Sequence, residues 1–577
     1  MKAAHPAVAV LFTLLTSQPP PPPVQVDDPV SEADLLVMNA KVVTVDAGFT
    51  IAEAVAIDNG KIVRVGRNDE IQRLAGARTR IIDARRRTVI PGLIDTHVHA
   101  TMVAAAEAVQ PFRNLESIAA VQDWARTAAQ RTPEGKWLWS PRVFPTRVKE
   151  RRLPTRAELD SAAPRHPVVV DGAYALMLNT AALLAAGIDR RTPDPPGGAI
   201  VKDANGEPTG LLRNVGGMLA RFRPREDGAA PLDLLERVHR QYAAVGITSV
   251  IERGSSVDGY RAYEALKRQN RLHVRSTITI RLPAASAAER DAFLDKLPFA
   301  FGSGDAWLKV GPLKIVVDGG ILAGTSFMRE PYGLRSRTLY GVDDPNYRGF
   351  LTLTPDQINA AIAAGHARGW QMVAHVTGDA GVDTVLDAIE AAQKHDGADG
   401  RRHTLIHAYF PDAATARRAA RLNVLVDTQP AWYFKDADAL VDALGEARLA
   451  HFIGLRTWRD ASVRTALNTD HMFGLDPDTA MNPFNPFLTM YVAVTRRTET
   501  GRVVGGDEVV AREDALRMMT RDAAYFSFDE GNRGSIEAGK LGDLVVLSED
   551  LLTCPPERIR AIRADVTIVN GKVTHQR

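Results

Sequence analysis

The sequence predicts an α/β protein: a (β/α)8 barrel, a small β domain built from both chain termini, and a subdomain inserted early in the barrel. Three observations carry this reading. Short apolar, β-branched runs alternate with amphipathic helical patterns through the middle of the chain. Both ends share a different texture, strand-like runs broken by turn signals. Between the first two central runs, residues 103–240 exceed any ordinary connection. At 577 residues the chain is also too long for one core.

Taken in order, residues 1–32 read as a leader, in which Lys2 precedes a short apolar run at 7–15 and five prolines at 19–23. This is either an export signal with a polyproline spacer, placing the protein in the periplasm or outside the cell, or a disordered leader on a cytoplasmic protein. Residues 33–90 carry antiparallel strand runs at 35–37, 42–45, 54–57 and 61–65, with Asp58-Asn59-Gly60 as a hairpin turn. Residues 530–577 continue that domain with runs at 543–547, 566–569 and 572–574, the last two joined at Asn570-Gly571. Residues 91–529 form the barrel. Its strands are expected at 93–97, 248–252, 274–280, 313–318, 372–377, 404–407, 424–428 and 463–470, with helical patterns at 381–393 and 412–421. Nothing after the leader is apolar for long enough to span a bilayer.

Composition removes several classes of function. Lys+Arg 71 against Asp+Glu 69 leaves a net charge of +2 and no basic stripe for nucleic acid. A single cysteine, Cys554, excludes an intramolecular disulfide, a CxxC redox motif and a cysteine-based zinc site. A transition metal must therefore be held by histidine and carboxylate.

His97-Val98-His99 ends the first barrel run. Side chains at i and i+2 of a strand project to one face, here the barrel interior. His375 and His407 end the fifth and sixth runs, and Asp470 closes the eighth. Barrels place catalytic groups at the carboxyl ends of their strands, so these imidazoles and this carboxylate converge on one mouth and suit a divalent metal. His5, His166, His239, His273, His366, His395, His451 and His575 read as solvated or structural, and His403 lies at the opposite end of its strand. His471 is open between a site contact and a plain loop residue. Trp432, Tyr433 and Phe434 follow the seventh run as pocket aromatics or lid packing.

Several segments carry a family resemblance: VIPGLIDTHVH at 89–99, KIVVDG at 314–319, HVTGD at 375–379, RHTLIHA at 402–408 and GSIEAGKLGDLVVL at 534–547. The chain resembles the amidohydrolase superfamily over about residues 33–574, and within it the amidohydrolase-3 group that includes YtcJ-like proteins and N-substituted formamide deformylase. The resemblance implies a distorted TIM barrel, a β-sandwich formed by both termini, and cleavage of a non-peptide C–N bond of amide type through a metal-activated hydroxide. It also adds Lys314, which matches a lysine that CO2 carboxylates to bridge two metals. The other reading of Lys314 is an internal ion pair with Asp318. On the family pattern, His97, His99 and Asp470 hold the more buried metal, His375 and His407 hold the second, and Lys314 carries the bridging carbamate. Zinc suits these donors, as do iron, manganese and cobalt. Asp470 then acts as general base and acid. Tyr174, Asp318, Trp432 and His471 are the candidate substrate contacts.

The chain departs from the family in places. Gly378 stands where the superfamily's deaminases carry glutamate. The segment 171–179 lacks the usual histidine and offers Tyr174 instead. Thr469-Asp470-His471-Met472-Phe473 replaces Ser-Asp-x-Pro-Val. The competing expectations are a mononuclear deaminase, a cyclic-amide hydrolase and a non-catalytic small-molecule-binding homologue. The expected partner is a small-molecule substrate, and homo-oligomer formation stays open.

Overall fold

The structure, a computed structural model, describes residues 32–223, 231–397 and 400–577, so the leader reading falls outside the described residues but for its last position. Eight parallel strands form the barrel: β1 (Leu93–Val98), β2 (Ile247–Ser255), β3 (Arg275–Arg281), β4 (Leu308–Val316), β5 (Met372–Val376), β6 (Thr404–His407), β7 (Leu425–Thr428) and β8 (Thr465–Leu467). Each is hydrogen-bonded to the next in chain order. The ring closes where Asp470 N–H donates to the His97 carbonyl at 2.9 Å and His99 N–H to the His471 carbonyl at 2.9 Å. All six residues of β1 are buried, as expected where both faces of a parallel sheet are covered.

The expected strands occur in the expected order, with two shifts. β4 begins at Leu308 rather than 313, because Lys309, Gly311 and Pro312 interrupt the apolar pattern while Leu308 and Lys309 still pair with Ser276 and Thr277 of β3. β8 is shorter than 463–470, because the chain leaves the sheet and enters left-handed backbone at Asp470, φ 50°. The helices after β5 and β6 span Asp379–Asp396 and Ala413–Arg421. The second is capped by the Asp412 carboxylate, which accepts from the Ala414 and Thr415 N–H groups.

The chain ends build two facing sheets. One orders Lys61–Gly66, Ala54–Asp58, Leu35–Met38 and Arg80–Asp83; the other joins Lys572–Gln576, Ala564–Val569 and Leu544–Leu547 to Thr88–Pro91, Lys41–Val43 and Ile51–Ala52. Val37, Val55 and Ile57 of the first share a buried core with Val89, Leu544, Val546 and Ile568 of the second. Most of these pairs are antiparallel as expected, but two are not. Leu35–Met38 runs parallel to Arg80–Asp83, and Lys41–Val43 parallel to Thr88–Pro91, because the chain alternates between the two sheets. Both expected hairpin turns are present, Asn59-Gly60 at φ 48° and 75° and Asn570-Gly571 at φ 54° and 71°.

Between β1 and β2 lies a five-stranded sheet: Ala199–Lys202, Pro208–Arg213, Ala175–Leu178, Val168–Asp171 and Leu138–Arg142. It has its own core around Val121, Leu138, Val168, Val170 and Met177. One end of this sheet's strands reaches the barrel mouth, bringing Arg142, Phe144 and Tyr174 to the wall of the central cavity.

Candidate active site

At the carboxyl end of β1, His97 Nε2 and His99 Nε2 lie 3.2 Å apart. Asp470, just past β8, places Oδ1 at 3.3 Å from the first nitrogen and 3.4 Å from the second. That oxygen is buried and has no hydrogen-bond donor, whereas Oδ2 accepts from the Trp432 indole N–H at 3.0 Å. These three donors lie within 4.8 Å of one another and could hold one metal ion.

A second convergence joins β5 and β6. His375 Nδ1 and His407 Nε2 are 2.9 Å apart. His375 Nε2 points at the Gly319 carbonyl oxygen, 3.1 Å away, so that nitrogen carries the ring proton. His407 Nδ1 lies 2.7 Å from Gln429 Oε1, and the Gln429 amide is oriented by its own N–H bond of 3.0 Å to the Asp427 carbonyl. His407 Nδ1 is thus the protonated nitrogen of its ring. The two nitrogens that face each other are both lone pairs, an arrangement that repels unless a cation lies beside them.

The electrostatics agree. Burial, reinforced by the Lys314 charge, pushes His97, His99 and His407 well below the ordinary histidine range and His375 down to about 3, so all four present neutral, ligating imidazoles. Lys314 is 3% exposed, and burial drives its amine down while Asp470 partly opposes the shift. Burial raises the Asp470 carboxyl in turn. Gly254 of β2, φ +97°, packs on the lysine: a β-carbon there would stand in ordinary van der Waals contact with Lys314 Cδ at 3.4 Å and Nζ at 3.8 Å. Two of the donors sit on left-handed backbone, His407 at φ 77° and Asp470 at φ 50°, strain of about 1–3 kcal/mol each that concentrates at functional sites. His97, His99, Lys314, His375, His407 and Asp470 all line one cavity of about 420 Å³. An orphaned carboxylate oxygen, facing imidazole lone pairs and a buried amine are a donor set that fits divalent metal.

The sequence model of the Amidohydrolase family matches residues 80–575. The chain belongs to the amidohydrolase family. As an amidohydrolase it is an enzyme that hydrolyses carbon–nitrogen bonds and depends on a divalent metal. It is 28% identical to N-substituted formamide deformylase of Arthrobacter pascens over 566 residues, 94% of this chain and 98% of that protein. It is 27% identical to YtcJ of Bacillus subtilis (strain 168) over 552 residues, 91% and 96% of the two chains. In fold it is similar to an uncharacterized metal-dependent hydrolase from Pyrococcus horikoshii OT3, with a TM-score of 0.65, 19% identity, and coverage of 91% and 99%.

The other candidates in this amidohydrolase divide. Tyr174 and Trp432 line the cavity, the tyrosine hydroxyl 3.1 Å from His375 Nε2. Asp318 and His471 do not. The Asp318 carboxylate is buried and accepts backbone N–H groups of Phe327, Thr377 and Gly378 at 3.0, 2.9 and 2.8 Å, so it anchors a loop rather than pairing with Lys314 or meeting substrate. His471 is held between the Tyr242 hydroxyl at 2.8 Å and the Gly474 carbonyl at 2.7 Å, closing the barrel seam. Tyr433 is also off the wall, with its hydroxyl bonded to the Arg496 and Val504 carbonyls. The sequence reading missed Gln429, which orients His407, and the wall residues Arg142, Arg223, Glu252 and Arg281. Position at a strand's carboxyl end was a usable signal for Gln429 and Arg281.

Proposed function

We propose that this amidohydrolase cleaves a non-peptide amide of a small molecule at a binuclear centre. His97, His99 and Asp470 would hold one ion, His375 and His407 the other, and a CO2-derived carbamate on Lys314 would supply oxygen donors to both. The observation that carries this reading is the pair of separate imidazole convergences, one of them with a buried carboxylate oxygen that has no donor, on one cavity that also holds a buried lysine with a lowered pKa. Zinc suits the imidazole and oxygen donors, and divalent ions held there polarise a scissile carbonyl and lower the pKa of water.

The chain's own residues supply the rest. The Asp470 carboxylate takes a proton from the attacking water and delivers it to the leaving nitrogen, its orientation fixed by the Trp432 indole N–H on Oδ2. Gln429 and the Gly319 carbonyl keep His407 and His375 in their ligating tautomers. Tyr174 and Trp432 contact the substrate from the wall. The deaminase alternative is weakened at Gly378, where even a β-carbon would lie 2.0 Å from the Phe327 carbonyl oxygen. The similarity to N-substituted formamide deformylase favours an amide substrate.

The test is a hydrolysis screen of the zinc-loaded protein on N-formyl and N-acetyl amides, cyclic amides and aminopurines. Turnover of an open-chain amide, abolished by chelation and restored by zinc, is expected. Ammonia release from the aminopurines alone would contradict the proposal.

A further inference from the structure

We propose that Arg281 is the anion-recognition residue of this site and that the substrate is an amide bearing a free carboxylate. The inference rests on the amide-hydrolase reading and adds a substrate class to it. Arg281 is the last residue of β3 and pairs in register with Lys314 of β4, so both side chains leave the sheet on one face and both line the cavity. Unlike Lys314, Arg281 is exposed at the mouth. Among the described residues no carboxylate lies within ion-pair distance of it.

Its surroundings do not offset the charge. Arg142 and Arg223 also line the cavity and share one carboxylate, Asp171, at 3.2 and 2.9 Å. Asp171 further accepts the Trp139 indole N–H at 3.1 Å and the Ala173 N–H at 2.8 Å. Glu252, another carboxyl on the wall, is engaged by the Thr101 hydroxyl at 3.0 Å and the Tyr263 hydroxyl at 2.8 Å. The cavity wall therefore carries three guanidiniums, two of which share one carboxylate. Arg281 is the one of the three without an ion pair, and its planar fork of donors matches a carboxylate with two parallel N–H···O bonds. Phe144, Ile321, Leu322 and Trp432 supply an apolar wall to the same cavity. A substrate with its amide at the histidines, its carboxylate at Arg281 and an apolar side group between them uses all three surfaces.

The test compares N-formylphenylalanine with N-(2-phenylethyl)formamide, which differ by the carboxylate, on zinc-loaded wild type, Arg281→Gln and Arg281→Lys. The Gln variant is expected to lower the ratio of kcat/KM values, acid over neutral, at least tenfold and chiefly through KM, with Lys restoring part of it. Binding of 3-phenylpropanoate and 3-phenylpropanol, measured by calorimetry on the same proteins, reads recognition without chemistry. A preference of wild type for the acid that Arg281→Gln removes supports the proposal even if neither formamide is cleaved, in which case the hydrolase reading alone fails. A ratio and an acid preference unchanged in Arg281→Gln, or no acid preference in wild type, would overturn it.

Discussion

Two buried polar clusters share this barrel and are built on opposite principles. In one, Arg253 of β2 meets Asp427 of β7 at 2.8 Å with both side chains fully buried; the Thr96 carbonyl accepts from Arg253 at 2.9 Å, and Asp427 also accepts from the Thr96 hydroxyl at 2.5 Å and from the Asn468 amide. Arg253 keeps one nitrogen, Nη1, without an acceptor, but its charge is answered inside the protein. In the other, the facing His375 and His407 nitrogens are both lone pairs, and the Asp470 Oδ1 oxygen lies against His97 and His99 without a hydrogen-bond donor. A cluster that answers its own charges holds strands together. One that leaves lone pairs converging is incomplete without a cation.

The largest effect that separates the two clusters is catalytic. Asp470→Asn should lower kcat by about 10²–10⁴-fold while metal content, read by mass spectrometry, is retained; unchanged turnover would remove Asp470 from proton transfer. Next comes Asp427→Asn, which leaves Arg253 buried without its anion and should cost about 3–5 kcal/mol in denaturant unfolding of the metal-loaded protein. If the two variants exchange phenotypes, the contrast is wrong. Smaller again, Gln429→Ala frees the His407 tautomer and should weaken metal affinity by about 10–100-fold in competition with a chelator.

The least effect tests a charge that is answered at the surface. Arg152 grips both Glu158 oxygens at 2.8 Å, and with the Thr155 cap holds the Glu158 carboxyl down to about 2. A depressed carboxyl contributes stability that is full above its unfolded pKa near 4.5 and is lost as pH falls toward 2. Glu158→Gln should therefore cost about 1 kcal/mol at neutral pH and flatten the stability profile between pH 4.5 and 2.

Most of the framework was legible because periodicity and strand-end position are local properties. His407 ends β6 in the structure as in the sequence, and His375 stands one residue before the end of β5. The pairing of terminal strands was not legible, because two sheets exchange the chain and local texture says nothing about which partner lies opposite. Asp318 and His471 read as substrate contacts because they adjoin ligand segments. Whether such a residue meets the cavity or saturates itself on backbone depends on loops such as the Phe327 and Gly474 turns, which no spacing rule encodes. The arginines of the mouth were hidden for another reason: two of them, Arg142 and Arg223, come from the inserted segment, whose sheet had no strand assignments.

The central claim is that the two imidazole convergences are two halves of one metal centre joined through Lys314. Metal stoichiometry by inductively coupled plasma mass spectrometry, on protein reconstituted with zinc and bicarbonate, tests it directly in wild type and Lys314→Ala. Two ions per chain in wild type, falling to one or none in the variant with the fold intact by circular dichroism, is the predicted result. A single ion in both proteins, or two in both, would contradict it.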